Sequence, residues 1–422
     1  MAEKRNIVIF AHYYHPDVAS TGQILKDQAE GMQQDFHVTV ICTVPSYGGC
    51  IENKYKTQSY YYEKINGVDV IRVRVPEFSK TSKISRIKNI VAYFWGALNA
   101  CRKAGPQDYI FTISQPPILG GLLGVLGKWM KRAKLIYCIQ DFNPEQTMAV
   151  GYFKNKAILK LMMVLDKFSC RQSDLVITVG RDLVETLKKR FHDKNIPRYS
   201  MINNWIDEKE IYPLPTDNEH VVEFRKRYEL SNKFVFMYSG NIGLYYDLEN
   251  ILKVIRKIKP GTKTPDGKEV VFAFVGDGSV LDKLKDYVKK NQMDNVIFIP
   301  YQDKKDLIYS LNAADVHWCV NAKGIKGVSC PSKFYGIAAS AKPVLGVLEK
   351  ETEIRMLIEE TNCGLVCEPG DYQQIEKNIR WFIDNANNDE IQTFGRNGHS
   401  YLMKNLTKDI SINKYTNAIR SL

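Results

Sequence analysis

Short apolar runs recur along this chain and alternate with stretches in which apolar residues return every three or four positions. Runs of the first kind predict strands buried on both faces, and stretches of the second kind predict amphipathic helices. In the first half, residues 6–11, 38–42, 68–75, 109–114, 134–139, 175–179 and 200–203 read as strands, with helices near 23–33 and 183–190. A polar, proline-containing stretch from Asn203 to Pro215 then interrupts the pattern as a linker would. Beyond it the pattern restarts, with strands at 234–238, 270–275, 296–299, 314–319, 343–348 and 365–367 and helices at 248–258 and 280–290. Strands alternating with helices predict parallel sheets covered on both faces. The 422 residues also exceed the ~250–300 that one core sustains. The expectation is α/β, with one doubly wound Rossmann-like domain at 1–205, a second at 206–404, and a terminal helix near 405–422 packing back on the first. In such sheets ligands bind beyond the carboxyl ends of the strands, so a cleft between the domains is the expected site.

Four loops at strand ends carry candidate chemistry. Residues 327–333 open the helix that precedes strand 343–348, with cap-type residues Ser329 and Ser332, Pro331 suited to a first turn, and the cation Lys333. A helix N-terminus with an added lysine suits a diphosphate; the alternative is a capped helix that binds nothing. Ser239, Gly240, Asn241 and Gly243 follow one strand, Gly276, Asp277 and Gly278 the next, and Tyr301 and Gln302 the one after. Glycines there let backbone N–H groups approach an anion closely. Together these loops predict a pocket for a nucleoside diphosphate.

Charge is distributed unevenly. Residues 1–210 carry 30 Lys and Arg against 20 Asp and Glu, whereas the remainder carries 29 against 27, so the basic surface belongs to the first half. Residues 79–103 hold Lys80, Lys83, Arg86, Lys88, Arg102 and Lys103 and no acid, and Ile84, Ile87, Val91, Phe94 and Leu98 fall at helical spacing. This amphipathic segment either lies among the headgroups of an anionic membrane, with Phe94 and Trp95 as anchors, or packs its apolar face on its own domain. Without an aromatic platform or a base-reading motif, nucleic acid is not an expected partner. The glycine-rich apolar stretch 118–127 is too short to span a bilayer and reads as a helix pressed against a sheet or dipping into an interface. The opening residues lack the apolar region of a signal peptide, which predicts a cytosolic protein. Nine cysteines without a CxxC pair, several in apolar runs, read as reduced core residues, and Cys363 and Cys367 lack neighbours that would make a metal site.

Several segments, taken in order, resemble the GT-B glycosyltransferases of family 4, in the branch that builds bacterial surface polysaccharides such as lipopolysaccharide and capsule. They are residues 13–17 with Ser20, Thr21 and Gly22, residues 113–117, residues 139–145, Asn204 to Asp207, Ser239 to Gly243, Phe274 to Gly278, Pro331 to Lys333 and Glu368 to Asp371. The resemblance implies two domains facing a central cleft, the C-terminal one binding the nucleotide-sugar donor and the N-terminal one the acceptor. It also implies sugar transfer with retention of configuration, without metal or cofactor. Asp141 then lies near the transferred sugar, with Glu145 beyond it as a second catalytic candidate; an N-cap is the structural alternative for Asp141. His12, Ser20, Thr21 and Gly22 fall on the acceptor side. Counted back from Pro343, the two glutamates of the family's E-x7-E motif fall on Val328 and Gly336, so that motif is absent. Val328, Ser329, Ser332 and Lys333 remain in the expected donor set, Lys333 as the phosphate contact.

The resulting expectation is an enzyme on the inner face of the cell membrane that moves a hexosyl or N-acetylhexosaminyl group from a UDP-sugar to a polyprenyl-diphosphate-linked saccharide. A sugar-nucleotide epimerase or hydrolase of the same fold and a non-catalytic nucleotide-sugar sensor are the rivals. An oxidoreductase is disfavoured because no G-x-G-x-x-G follows the first strand.

Overall fold

The structure, a computed structural model, describes residues 4–17, 20–79, 82–149, 151 and 155–422. Lys80 lies outside the described residues, as does the side chain of Ser20. The chain divides into two units, residues 1–203 with 409–422, and residues 204–408.

The first unit runs β1 (Arg5–Ala11), α1 (Ser20–Met32), β2 (Phe36–Thr43), β3 (Tyr60–Ile65), β4 (Val68–Val73), α2 (Lys83–Lys103), β5 (Tyr109–Ile113), α3 (Leu119–Lys131), β6 (Lys134–Ile139), α4 (Glu145–Ala149), α5 (Lys156–Gln172), β7 (Leu175–Thr178), α6 (Arg181–Arg190) and β8 (Tyr199–Met201). Its strands form one sheet in the order β3-β4-β2-β1-β5-β6-β7-β8. Seven are parallel, and β3 pairs antiparallel with β4 through a turn at Asn66 and Gly67, both at positive φ. β3 escapes the sequence pattern because edge tyrosines with alternating exposure do not form an apolar run. The central strands β1 and β5 are almost wholly buried, as parallel strands covered on both faces are. Helices α2, α3 and α5 pack side by side, α3 lying against β5 and β6. Its glycines allow this approach: a Cβ on Gly120 would sit 2.2 Å from the Ile113 carbonyl, and one on Gly124 would sit 2.5 Å from Thr112. The glycine-rich stretch is therefore a helix pressed onto a sheet.

The second unit runs α7 (Glu219–Arg227), β9 (Lys233–Ser239), α8 (Leu248–Ile255), β10 (Glu269–Val275), α9 (Leu281–Lys290), β11 (Val296–Ile299), α10 (Leu307–Asn312), β12 (Val316–Val320), α11 (Lys333–Ala339), β13 (Val344–Val347), α12 (Glu353–Thr361), β14 (Gly364–Cys367), α13 (Tyr372–Asp384) and α14 (Asp389–Asn405). Its all-parallel sheet has the order β11-β10-β9-β12-β13-β14. One face carries stacked Phe236 and Phe272, with Trp318 and Phe382 closing around them. The last helix, α15 (Lys408–Arg420), buries Tyr415 against Phe111 of the first unit's sheet. Cys42, Cys138 and Cys170 are buried thiols, and so are Cys363 and Cys367.

In each sheet the strand order reverses once, between β1 and β5 and between β9 and β12. Such switch points open a crevice at the carboxyl ends of the strands, which is where the sequence concentrates its glycines and polar residues.

Candidate functional sites in the two units

In the second unit the loops after β9 and β10 are laced together. Gly240 N–H donates to the Val275 carbonyl, Ile242 N–H to the Asp277 carbonyl and Val280 N–H to the Ile242 carbonyl. Gly240 and Gly276 hold φ of 138° and 137°. A Cβ on Gly276 would lie 2.1 Å from the Gly240 carbonyl oxygen, so glycine alone fits there. A Cβ on Gly240 would lie 2.8 Å from Cε of Lys333, which places the Lys333 side chain against this loop.

The Lys333 ammonium sits 3.7 Å from the centre of the Tyr246 ring and 5.1 Å from that of Tyr238. Among the described residues it pairs with no carboxylate, so its charge is oriented by ring faces and left for an anion. The Tyr238 hydroxyl donates to the Asn241 carbonyl at 2.6 Å, and Ala322 N–H donates to the Tyr245 carbonyl, which ties the loops after β9 and β12 together at the switch point. Asp277 is exposed and accepts from Gly278 N–H. Gly243 and Gly278 both close around the Asn241 side chain. Ser239 ends β9, whereas Tyr301 and Gln302 follow the edge strand β11, Tyr301 being half exposed. Val328 is buried and Ser329 half-buried; Ser332 occupies the N-cap position of α11 but its side chain makes no cap hydrogen bond. The sequence pointed to the glycines and Lys333, and it missed the two tyrosines that hold the lysine.

In the first unit His12 follows β1 and is buried between Tyr13 and Tyr93, with ring centroids 4.2 and 4.9 Å away. Asn89 Nδ2 donates to the Pro76 carbonyl, which turns Oδ1 toward His12 and makes the histidine Nε2 the donor of their 3.3 Å bond. Burial lowers the His12 pKa to about 4 against the opposing pull of Asn89, so the ring is neutral at physiological pH. Arg72 donates to the His15 carbonyl at 2.6 Å, and Asp17 accepts from the N–H groups of Ser46 and Tyr47. Thr21 and Gly22 begin α1, where a Cβ on Gly22 would press on the Tyr13 carbonyl.

Asp141 follows β6. Its N–H and that of Gln140 donate to Ser114 Oγ at 3.3 and 3.1 Å. Because α4 begins at Glu145, Asp141 precedes the cap position, and the N-cap alternative does not describe it. Both oxygens of Glu145 are taken by Arg190, at 2.7 and 2.5 Å.

On α2, Ile84, Ile87, Val91 and Trp95 are exposed by 70, 59, 43 and 64%, beside exposed Lys83, Arg86 and Lys88. Phe94 is half-buried against the unit's core and Leu98 is buried, so the apolar stripe read from the sequence parts into an outward half and an inward half. No helix among the described residues is long and apolar enough to cross a membrane.

These two doubly wound units define a GT-B fold. The family profile described as Glycosyl transferase 4-like domain matches residues 21–205, and that described as Glycosyl transferases group 1 matches residues 222–400. The chain belongs to the family 4 GT-B glycosyltransferases. It is similar to WbjE of Pseudomonas aeruginosa, named a probable glycosyltransferase, with 26% identity over 412 residues that cover 90% of this chain and 98% of WbjE. It is also similar to WcaI of Escherichia coli strain K12, named as a colanic acid biosynthesis glycosyl transferase, at 21% identity over 98% of this chain and 99% of WcaI. Among solved structures, HepE of Anabaena in complex with UDP-glucose shares the fold with a TM-score of 0.69 and 14% identity, over 99% of this chain and all of that one.

Proposed function

We propose that this glycosyltransferase moves a sugar from a UDP-sugar to a polyprenyl-diphosphate-linked saccharide in bacterial surface polysaccharide synthesis, with retention of configuration and without a metal. The observation that carries the donor half is the ring-held Lys333 ammonium against the Gly240 loop: a fixed cation beside closely approachable backbone suits a diphosphate leaving group. The UDP-glucose complex of HepE supports a UDP-sugar, and the name of WcaI supports the polysaccharide setting.

In this reading the acceptor hydroxyl oxygen bonds to the sugar's anomeric carbon as the bond from that carbon to the diphosphate oxygen breaks. Electrons leave with the diphosphate, beside Lys333, and the hydroxyl proton ends on it. Ser239, Gly240, Asn241, Gly243, Gly276, Asp277 and Gly278 line the donor loops. Asp141 orients the transferred sugar or the acceptor, and His12, neutral and fixed by Asn89, faces the acceptor side with Thr21 and Gly22.

The outward stripe of α2 supports docking on the cytoplasmic face of an anionic membrane, where a lipid-linked acceptor resides. Ile158, Leu161 and Val164 of α5 are exposed as well, with Lys156 and Lys160 beside them. The test is incubation of the protein with labelled UDP-sugars and polyprenyl-diphosphate-linked saccharides in the presence of a chelator. One UDP-sugar should yield a longer lipid-linked product; failure with every UDP-sugar, alongside transfer from a GDP- or ADP-sugar, would contradict the donor assignment.

A further inference from the structure

Immediately after Asp141, three residues converge on one guanidinium. The Arg190 carbon lies 4.3 Å from the centre of the Phe142 ring, Nη2 donates to the Asn143 carbonyl at 2.7 Å, and Nε and Nη2 grip the two oxygens of Glu145. Nη1 pairs with Asp166 of α5, whose other oxygen accepts the Tyr137 hydroxyl of β6 at 2.6 Å. Arg190 and Asp166 are both buried, and Arg190 ends α6. On the upstream side, Ser114 Oγ holds the N–H groups of Gln140 and Asp141. The Asp141 segment is thus clamped at both ends, by a β5-end serine and by an arginine fixed to α5 and α6.

We infer that Arg190 is a positioning residue for the transfer reaction: it sets the loop that carries Asp141, and Glu145 is its anchor and not an acid or base. A general acid or base needs an oxygen free to exchange a proton with substrate, and both oxygens of Glu145 are occupied by a bidentate guanidinium. Burial works against the charge on Arg190, but its hydrogen bonds to Glu145 and the charge of Asp166 outweigh that effect and raise its pKa above the ordinary value, so the clamp stays charged across the working pH range. This inference rests on the proposed role of Asp141 near the transferred sugar.

The test compares Arg190→Lys, Glu145→Gln and Asp141→Asn in kcat, donor KM, pH–rate profile and thermal stability, with UDP binding measured separately. Lysine keeps the charge but not the two-pronged fork. Folded Arg190→Lys should therefore lose roughly 10- to 100-fold in kcat with donor KM and UDP binding near wild type, as a displaced catalytic loop does. Glu145→Gln, which still accepts a hydrogen bond from Arg190, should stay within about 10-fold of wild type and keep both limbs of its pH–rate profile. Should Arg190→Lys fail to fold, the Glu145→Gln profile decides alone. Loss of activity in Glu145→Gln as deep as in Asp141→Asn, or loss of one limb of its profile, would overturn the inference, as would wild-type kcat in folded Arg190→Lys. Absence of UDP binding by the wild-type protein would instead contradict the donor-site reading and leave the clamp standing.

Discussion

Lys333 and Tyr246 are in direct contact, the ammonium lying 3.7 Å from the centre of the phenol ring; Lys333 opens α11 after β12 and Tyr246 lies in the segment after β9, the two neighbouring strands at the switch point of the second sheet. The ring face attracts the cation without neutralising it, unlike a carboxylate, and so holds it ready for a phosphate. With both residues half-buried, a contact of this kind is worth about 1–2 kcal/mol. Tyr246→Ala should therefore weaken UDP binding roughly 5- to 30-fold, and Tyr246→Phe, which keeps the ring, should bind within about twofold of wild type. Calorimetric titration of both variants checks this; equal losses would mean that the hydroxyl and not the ring face matters.

The close approach of Gly276 to the Gly240 carbonyl makes a second expectation. Gly276→Ala places a Cβ 2.1 Å from that oxygen at a φ only glycine adopts comfortably, and it should cost about 2–3 kcal/mol of stability and disturb UDP binding as well. Gly261→Ala is the control: its φ is also positive, but a Cβ there meets nothing within 4 Å, so it should cost about 1 kcal/mol and leave binding intact. Urea denaturation of the two variants side by side reads the difference.

Two buried histidines give the fold an acid limit. Burial lowers His317 to about 4, partly offset by its 2.8 Å hydrogen bond to the Leu311 carbonyl, and His12 is lowered to about 4 as well. Since the folded rings stay neutral where unfolded histidines take up a proton, their contribution is complete above pH 6.5 and is lost as pH falls toward 4. The loss amounts to about 3 kcal/mol per ring. The urea midpoint should fall between pH 6.5 and 4.5, and less steeply in His317→Gln, which keeps a donor for Leu311. Identical slopes would contradict this origin.

The outward stripe of α2 predicts binding to vesicles of mixed phosphatidylglycerol and phosphatidylcholine but not to phosphatidylcholine alone. Ile87→Asp, at a position 59% exposed, should lower sedimentation with the anionic vesicles several-fold at unchanged thermal stability. Retained binding in this variant would place the contact elsewhere.

How much of this was legible in the sequence depends on where the information lies. Strands such as β1, β6 and β10 announce themselves because both faces are buried and the run is continuous, and the glycine loops and Lys333 are visible because glycine and a cap-like Pro-Ser-Lys have local meaning. β3 was hidden because an antiparallel edge strand needs only alternate burial, and α5 because it turns Leu161 and Val164 outward. The aromatic seat of Lys333 and the clamp of Arg190 were not legible at all. Each joins residues from separate strands and helices, and nothing local distinguishes Tyr246 from the other tyrosines or Arg190 from the basic end of any helix.

The most direct measurement is calorimetric titration of UDP, GDP and ADP into the wild-type protein and Lys333→Ala. A donor site built on the ring-held lysine predicts selective UDP binding by the wild type, weakened at least about 10-fold in Lys333→Ala, the loss of a charge-assisted phosphate contact. UDP binding unchanged in folded Lys333→Ala, or no nucleotide binding by the wild type, would contradict it.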